Sequence, residues 1–319
     1  MTDGAAAARP SQGARPRTAL LVARLRRPAG RRGSVPLWLA LPSIGAMAVV
    51  LIYPTIYLLG LAFTRSSLGR PLQEWSGWDN FIRANESLAF NGSLWRSAVF
   101  AIAGAALQIV LGTALALLLR VRGPRFGLAG TLLLLPLVTP PVMVGVGWKL
   151  MLAPVGGPLA STWENLGGSG FDPLASGTGA FITLLLINTW QWMPFVTLLV
   201  FAALLSVPQE LIEAAEIDGA GAWHRFRAVV WPSILPTVLA ASVLTLVIAF
   251  KAFDIVAVIT RGAPGVSTIL APFEIYRTGL LGDYDMGTAA AETLMFALLV
   301  GVVTTALTFV RARVTRAEG

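Results

Sequence analysis

Six stretches of this chain run for eighteen residues or more without a charged side chain: 33–64, 97–119, 126–148, 173–209, 228–250 and 293–310. A helix needs about 20 apolar residues to cross the hydrocarbon core of a bilayer. Composition agrees: charged residues make up 13% of the 319, against about a quarter in soluble domains, and mean hydropathy is +0.72. The reading is one all-α integral membrane domain with six transmembrane helices near 36–63, 94–119, 126–152, 179–205, 234–257 and 286–310. The next uncharged run, 150–163, is short and holds Pro154, Gly156, Gly157 and Pro158, so it is read as a loop or re-entrant piece.

The net charge of +8 is a matter of membrane orientation rather than of nucleic-acid binding. Arg9, Arg15, Arg17, Arg24, Arg26, Arg27, Arg31 and Arg32 crowd the first 32 residues, where Asp3 is the one acid. The apolar run that follows is too long for a signal-peptide core, so 1–32 reads as a basic cytoplasmic tail, with a transit peptide as the alternative. Six crossings return the C-terminal tail, 312–319, to the same side. The loops holding Arg120, Arg122 and Arg125, and Arg225 with Arg227, fall there too, as the positive-inside rule requires. The opposite loops are longer and mix signs.

Several chemistries are excluded. There is no cysteine for a disulfide, thiolate site or thiol nucleophile. The two lysines, Lys149 and Lys251, stand outside any Gly-Lys-Ser/Thr phosphate loop. His224 is the single histidine, which removes paired-histidine zinc sites and most histidine acid–base schemes. No cofactor is expected on this chain, and an intramembrane enzyme is disfavoured.

Polar groups within spans mark solute paths or interhelical hydrogen bonds. Asn188, Trp190, Gln191 and Trp192 lie mid-span beside Pro194. Amides next to aromatic faces suit a sugar, whose hydroxyls need partners and whose ring faces stack. Lys251 and Asp254, three apart near the end of the fifth span, form either a pathway rim or a mutual pair. Glu292 lies about two turns into the sixth. Prolines, including Pro140–Pro141, interrupt several spans, and TPPVMVGVG at 139–147 suggests a helix inside the bundle or an ordinary kink.

One polar interval, 206–236, lies between the fourth and fifth spans. Ser206 and Gln209 fit a capping box, Glu210 and Glu213 occupy early turns, and Gly219 and Gly221 stop the helix. A second short helix over 222–230 precedes Pro232 and Pro236. Two short helices at an angle, with Ala214, Ala215 and Ala220 as a small-residue face, read as a docking knob. The sequence EAAEIDGAGAWHRFRAVVWPSILP resembles the EAA loop of ABC importer permeases through Glu213, Ala214, Ala215, Asp218, Gly219, Ala220, Phe226, Pro232 and Pro236. Val229 and Trp231 replace the usual Ile and Leu. The WDNF element (Trp78–Phe81), FDIVAVITRGAPGVST and GTAAA (Gly287–Ala291) are similar to carbohydrate permeases of the maltose and glycerol-phosphate type, with Ala263 and Glu292 as departures.

The resemblance implies a type I ABC importer permease fold over 33–311, with cytoplasmic coupling helices. It implies a second permease subunit, an extracytoplasmic solute-binding protein, and an ABC ATPase dimer that binds the ATP and docks on Glu213, Gly219 and Phe226. The expected seat is the bacterial inner membrane, and the expected cargo a carbohydrate or polyol. A polyamine importer sharing the EAA loop and an ion-driven secondary transporter are the alternatives.

Overall fold

The computed structural model describes residues 37–122, 130, 132–282 and 284–317. The expected basic tail, 1–32, lies outside the described residues, as does Arg125. The chain forms two compact units, Met1–Thr55 and Ile56–Gly319. The described part of the first is the beginning of α1 (Leu37–Ala62), with Pro42 and Pro54 inside the helix.

The second unit is helical, with one exception to the all-α expectation. Residues read as a mixed-sign loop form a hairpin, β1 (Thr64–Ser67) and β2 (Arg70–Trp75), with Thr64 opposite Trp75 and Arg65 opposite Glu74. Trp75 stacks on Phe63, ring centroids 5.6 Å apart, and Trp78 and Phe81 meet the other sides of Phe63. Mixed charge and short length hid the strands; the ladder and the Trp75–Phe63 stack hold them. α2 (Asp79–Glu86) follows. From it the buried Asn80 donates Nδ2 to the carbonyls of Ala62 (2.8 Å) and Thr64 (2.9 Å), capping the end of α1 and the start of the hairpin.

The spans are α3 (Leu88–Arg122), α7 (Gly177–Leu205), α10 (Trp231–Phe250) and α12 (Met286–Ala317). With α1 and the 222–230 lead-in to α10, five helices among the described residues are long and apolar enough to cross a membrane. The third expected span, 126–152, is broken. Its described part holds α4 (Leu135–Val138) and α5 (Pro141–Met151), separated at Thr139 and Pro140, both extended. A residue before proline is pushed out of the α region, and Pro140–Pro141 imposes this twice. α5 has 11 residues, about 16 Å at about 1.5 Å each, too short to span alone. α6 (Pro158–Asn165) then leads to α7, whose N-cap Ser176 accepts from the Gly179 N–H at 3.1 Å.

Three boundaries differ from expectation, the first being α3, which begins at Leu88 and not at 94. α10 stops at Phe250 instead of Ala257; Lys251 is its C-cap, with ψ near 6° and its N–H on the Val247 and Ile248 carbonyls. A π turn over Val256–Thr260 follows, then α11 (Ala271–Tyr276), which runs into a second π turn, Arg277–Leu281. α12 continues to Ala317, so most of the expected C-terminal tail is helix. Asp285 caps α12 through the Thr288 N–H at 2.9 Å.

Burial explains the Gly287–Ala291 run. A Cβ on Gly287 would lie 2.7 Å from the Thr64 carbonyl oxygen and 2.8 Å from Asn80 Nδ2. Ala290 and Ala291 pack with Leu61, Ala62, Ala84 and Phe90. Small residues there let α12 approach the hairpin and α2 closely.

Candidate functional site

Four of the six polar residues proposed for a solute path converge. Asn188, Gln191 and Trp192 of α7, Lys251 and Asp254 after α10, and Pro141 at the start of α5 line one cleft of about 200 Å³. Positions 188, 191 and 192 stand at i, i+3 and i+4, one face of a helix. Lys251 and Asp254 share the cleft and form no ion pair among the described residues. The expected helical pairing fails because the helix ends between them. The cleft therefore offers one cation, one anion and two amides. Neither amide atom of Gln191 is hydrogen-bonded among the described residues, and the break at Thr139–Pro140 brings Pro141 to the wall.

Trp190 and Glu292 are elsewhere. Trp190, two positions from Asn188, points to another face of α7. There it meets Trp148 edge-on at 5.5 Å and lines an apolar groove with Leu135 and Pro136. Glu292 is buried in α12, accepts from Thr278 Oγ1 at 3.4 Å, and leaves its second oxygen without a partner among the described residues. The neighbouring Glu274 pairs with Arg277 at 2.8 Å.

One residue escaped the sequence reading. Gln108, the single amide side chain in the uncharged run 97–119, is fully buried in α3 and donates Nε2 to Asn188 Oδ1 at 3.1 Å. A lone amide in an apolar span was the available signal.

The polar interval is built differently from the expected pair of capped helices. α8 (Gln209–Ile217) has Pro208 at its N-cap and no side-chain cap bond; Ser206 Oγ instead donates to the Ala203 carbonyl at 2.7 Å, so the capping box does not form. The other end is a Schellman motif: the Ala220 N–H reaches the Ala215 carbonyl and the Gly219 N–H the Glu216 carbonyl, both at 3.0 Å. Gly219 takes φ +77°, which only glycine adopts freely. The second helix does not stand apart. α9 (Ala222–Arg225) passes through a π turn, Phe226–Val230, straight into α10. Pro232 and Pro236 lack N–H groups, and such segments are accommodated by π adjustment and hydroxyl bonds; Ser233 Oγ donates to the Val229 carbonyl at 2.7 Å.

An Arg225–Glu216 ion pair ties α9 to α8. Phe226 stacks on Trp223 (5.6 Å) and tilts against Trp231 (5.9 Å). Glu213, Ala214, Asp218, Gly219 and Pro232 are exposed, whereas Ala215 and Ala220 are partly covered. Ile212, Val229 and Trp231 pack on a core of Leu204, Val207, Ile234 and Val238. The interval thus presents a solvent-facing helix rooted in α7 and α10.

Long apolar helices with a small polar cleft among them, and a polar helical projection between two spans, define a polytopic helical membrane protein. Comparison with known proteins agrees. Residues 108–316 match the family described as binding-protein-dependent transport system inner membrane component. The trehalose/maltose transport system permease protein MalF of Thermococcus litoralis is 30% identical over 259 residues, covering 81% of this chain and 88% of that protein. The sn-glycerol-3-phosphate transport system permease protein UgpA of Yersinia pseudotuberculosis is 31% identical over 269 residues, 83% of this chain and 90% of the other. The fold is that of a crystallised bacterial ABC transporter involved in the import of the acidic polysaccharide alginate (TM-score 0.72, 24% identity, 94% of this chain and 97% of that one). The chain belongs to the family of binding-protein-dependent transport system inner membrane components.

Proposed function

We propose that this chain is one of two permease subunits of an ATP-binding-cassette importer for a carbohydrate or polyol. The observation that carries this reading is the cleft of amides, one lysine, one aspartate and a tryptophan, in a chain related to permeases named for trehalose, maltose and sn-glycerol 3-phosphate. Hydroxyls are donors and acceptors at once, and Asn188, Gln191, Lys251 and Asp254 supply both kinds of partner. Trp192 supplies an apolar face for a ring. At about 200 Å³ the cleft is below the roughly 300–1,000 Å³ of sites for drug-sized ligands, so it takes a compact solute or one ring at a time.

An extracytoplasmic binding protein delivers the solute, and a cytoplasmic ATPase dimer binds and hydrolyses ATP, for which this chain has no phosphate loop. α8 is the docking element, with Glu213 and Asp218 for polar contacts and Ala214, Ala215 and Ala220 for close approach. Gly219 makes the turn, and Phe226 and Pro232 hold the root. Movement of α8 passes through Ile212 and Trp231 into α7 and α10, the helices that carry the cleft. On this reading the interval and both termini lie in the cytoplasm of a cell with an inner membrane.

A secondary transporter would couple through carboxylates on the path; of the two candidates Asp254 lines the cleft and Glu292 lies off it, and a docking helix such as α8 has no use in that mechanism. The test is ATP-dependent uptake of labelled sugars into proteoliposomes holding this chain, the second permease, the ATPase and the binding protein from one gene cluster. Uptake that needs an ion gradient but no ATP refutes the importer; ATP-driven uptake of a polyamine but no sugar refutes the cargo.

A further inference from the structure

Gly104, Gln108 and Gly112 stand at i, i+4 and i+8, one face of α3. That face meets α7 closely. A Cβ on Gly104 would lie 3.4 Å from Leu185 Cδ1 and 3.9 Å from Asn188 Oδ1; one on Gly112 would lie 2.7 Å from Val196 Cβ. Gln108 is therefore fully buried between two glycines at a close helix–helix seam. Its Nε2 donates to Asn188 Oδ1 at 3.1 Å, and its own Oε1 is buried with no partner among the described residues. Asn188 is 3% exposed and lines the cleft, and its Nδ2 makes no hydrogen bond among the described residues.

An asparagine amide presents either a donor or an acceptor, depending on which way its plane is turned. Rotating Asn188 alone would set its Nδ2 against Gln108 Nε2, two donors facing each other in a buried seam. We propose that Gln108 is a positioning residue for the solute: it holds the Asn188 amide so that the cleft is offered a hydrogen-bond donor. The selectivity of the cleft is then set partly from α3, which contributes no side chain to its wall. This inference rests on the reading of the cleft as the solute path.

The probes are maltose, trehalose and the monodeoxy derivatives of whichever the wild-type importer carries faster, in proteoliposomes with the complete importer at saturating binding protein. Wild type and variants share one binding protein, so its own preferences cancel in their ratio. Wild type should discriminate against one deoxy derivative, the one lacking the oxygen that accepts from Asn188, by roughly five- to tenfold, the worth of one hydrogen bond. Asn188→Ala should abolish that discrimination by lowering the parent sugar's rate to that of the derivative, and Gln108→Met, isosteric and uncharged, should do the same, with the other derivatives still carried as the parent is. Gln108→Glu, whose carboxyl oxygen accepts where the amide donated, should also abolish it. Discrimination kept by Gln108→Met, or lost equally for every derivative, overturns the proposal and leaves the cleft reading standing. Asn188→Ala without effect, or wild-type transport of neither disaccharide, removes the cleft reading and the proposal with it. Failure of both Gln108 variants to assemble with the partner subunits makes Gln108 a packing residue and likewise overturns it.

Discussion

Gly219 separates two ways in which a loop residue can matter. Its backbone sits at φ +77°, and a Cβ built there meets nothing within 4 Å. The cost of a side chain is then conformational and not steric. A left-handed L-residue costs about 1–2 kcal/mol, and a β-branched one more, because its χ1 choices are already restricted. The Schellman bonds of Gly219 and Ala220 close only in that conformation. Gly219→Val should therefore open the C-terminal end of α8 by at least about 1.5 kcal/mol, roughly tenfold at about 1.4 kcal/mol per decade. Gly219→Asn should cost much less, since asparagine tolerates this region. Amide hydrogen exchange on the chain in nanodiscs reads the effect directly: Gly219 and Ala220 should lose about tenfold protection in the valine variant and little in the asparagine variant. ATPase co-purification and transport should fall in the same order. Equal exchange in both variants refutes the conformational argument. Intact protection with lost docking in the asparagine variant means instead that the partner's surface, and not the turn, requires glycine.

Two further outcomes follow from packing. Gly112→Ala places a methyl 2.7 Å from Val196 Cβ and 3.1 Å from the Met193 carbonyl oxygen, so α3 and α7 must part; a loss of about 1–3 kcal/mol should lower the unfolding midpoint in detergent, and an unchanged midpoint would contradict the close seam. Asn80→Ala strips the buried donor from the Ala62 and Thr64 carbonyls, a cost of about 1–3 kcal/mol, which should show as faster proteolysis of the hairpin between Thr64 and Trp75; cleavage at the wild-type rate would show that other contacts hold it.

Much of the candidate site could be read from spacing. Asn188, Gln191 and Trp192 fall on one helical face by arithmetic, and the same arithmetic excludes Trp190, which the sequence reading had grouped with them by proximity in the chain. The Gly219 stop was legible because glycine after a short amphipathic helix has few other uses. The Ser206 cap was not, because the hydroxyl had two nearby backbone partners and took the preceding carbonyl. Glu292 looked like a pathway residue because a lone acid in a span is costly; its partner Thr278 comes from a turn that returns to α12 from the preceding helix.

The sequence by itself determined the membrane class, the apolar spans and the polar interval with its family pattern. These depend on local composition and short-range spacing, which a bilayer reads segment by segment. Tertiary structure alone decided two things. It set Asn188 against Gln108 eighty positions away, and joined the second helix of the interval to α10. Each depends on which helices lie against one another, and that is set by contacts between residues far apart in the chain.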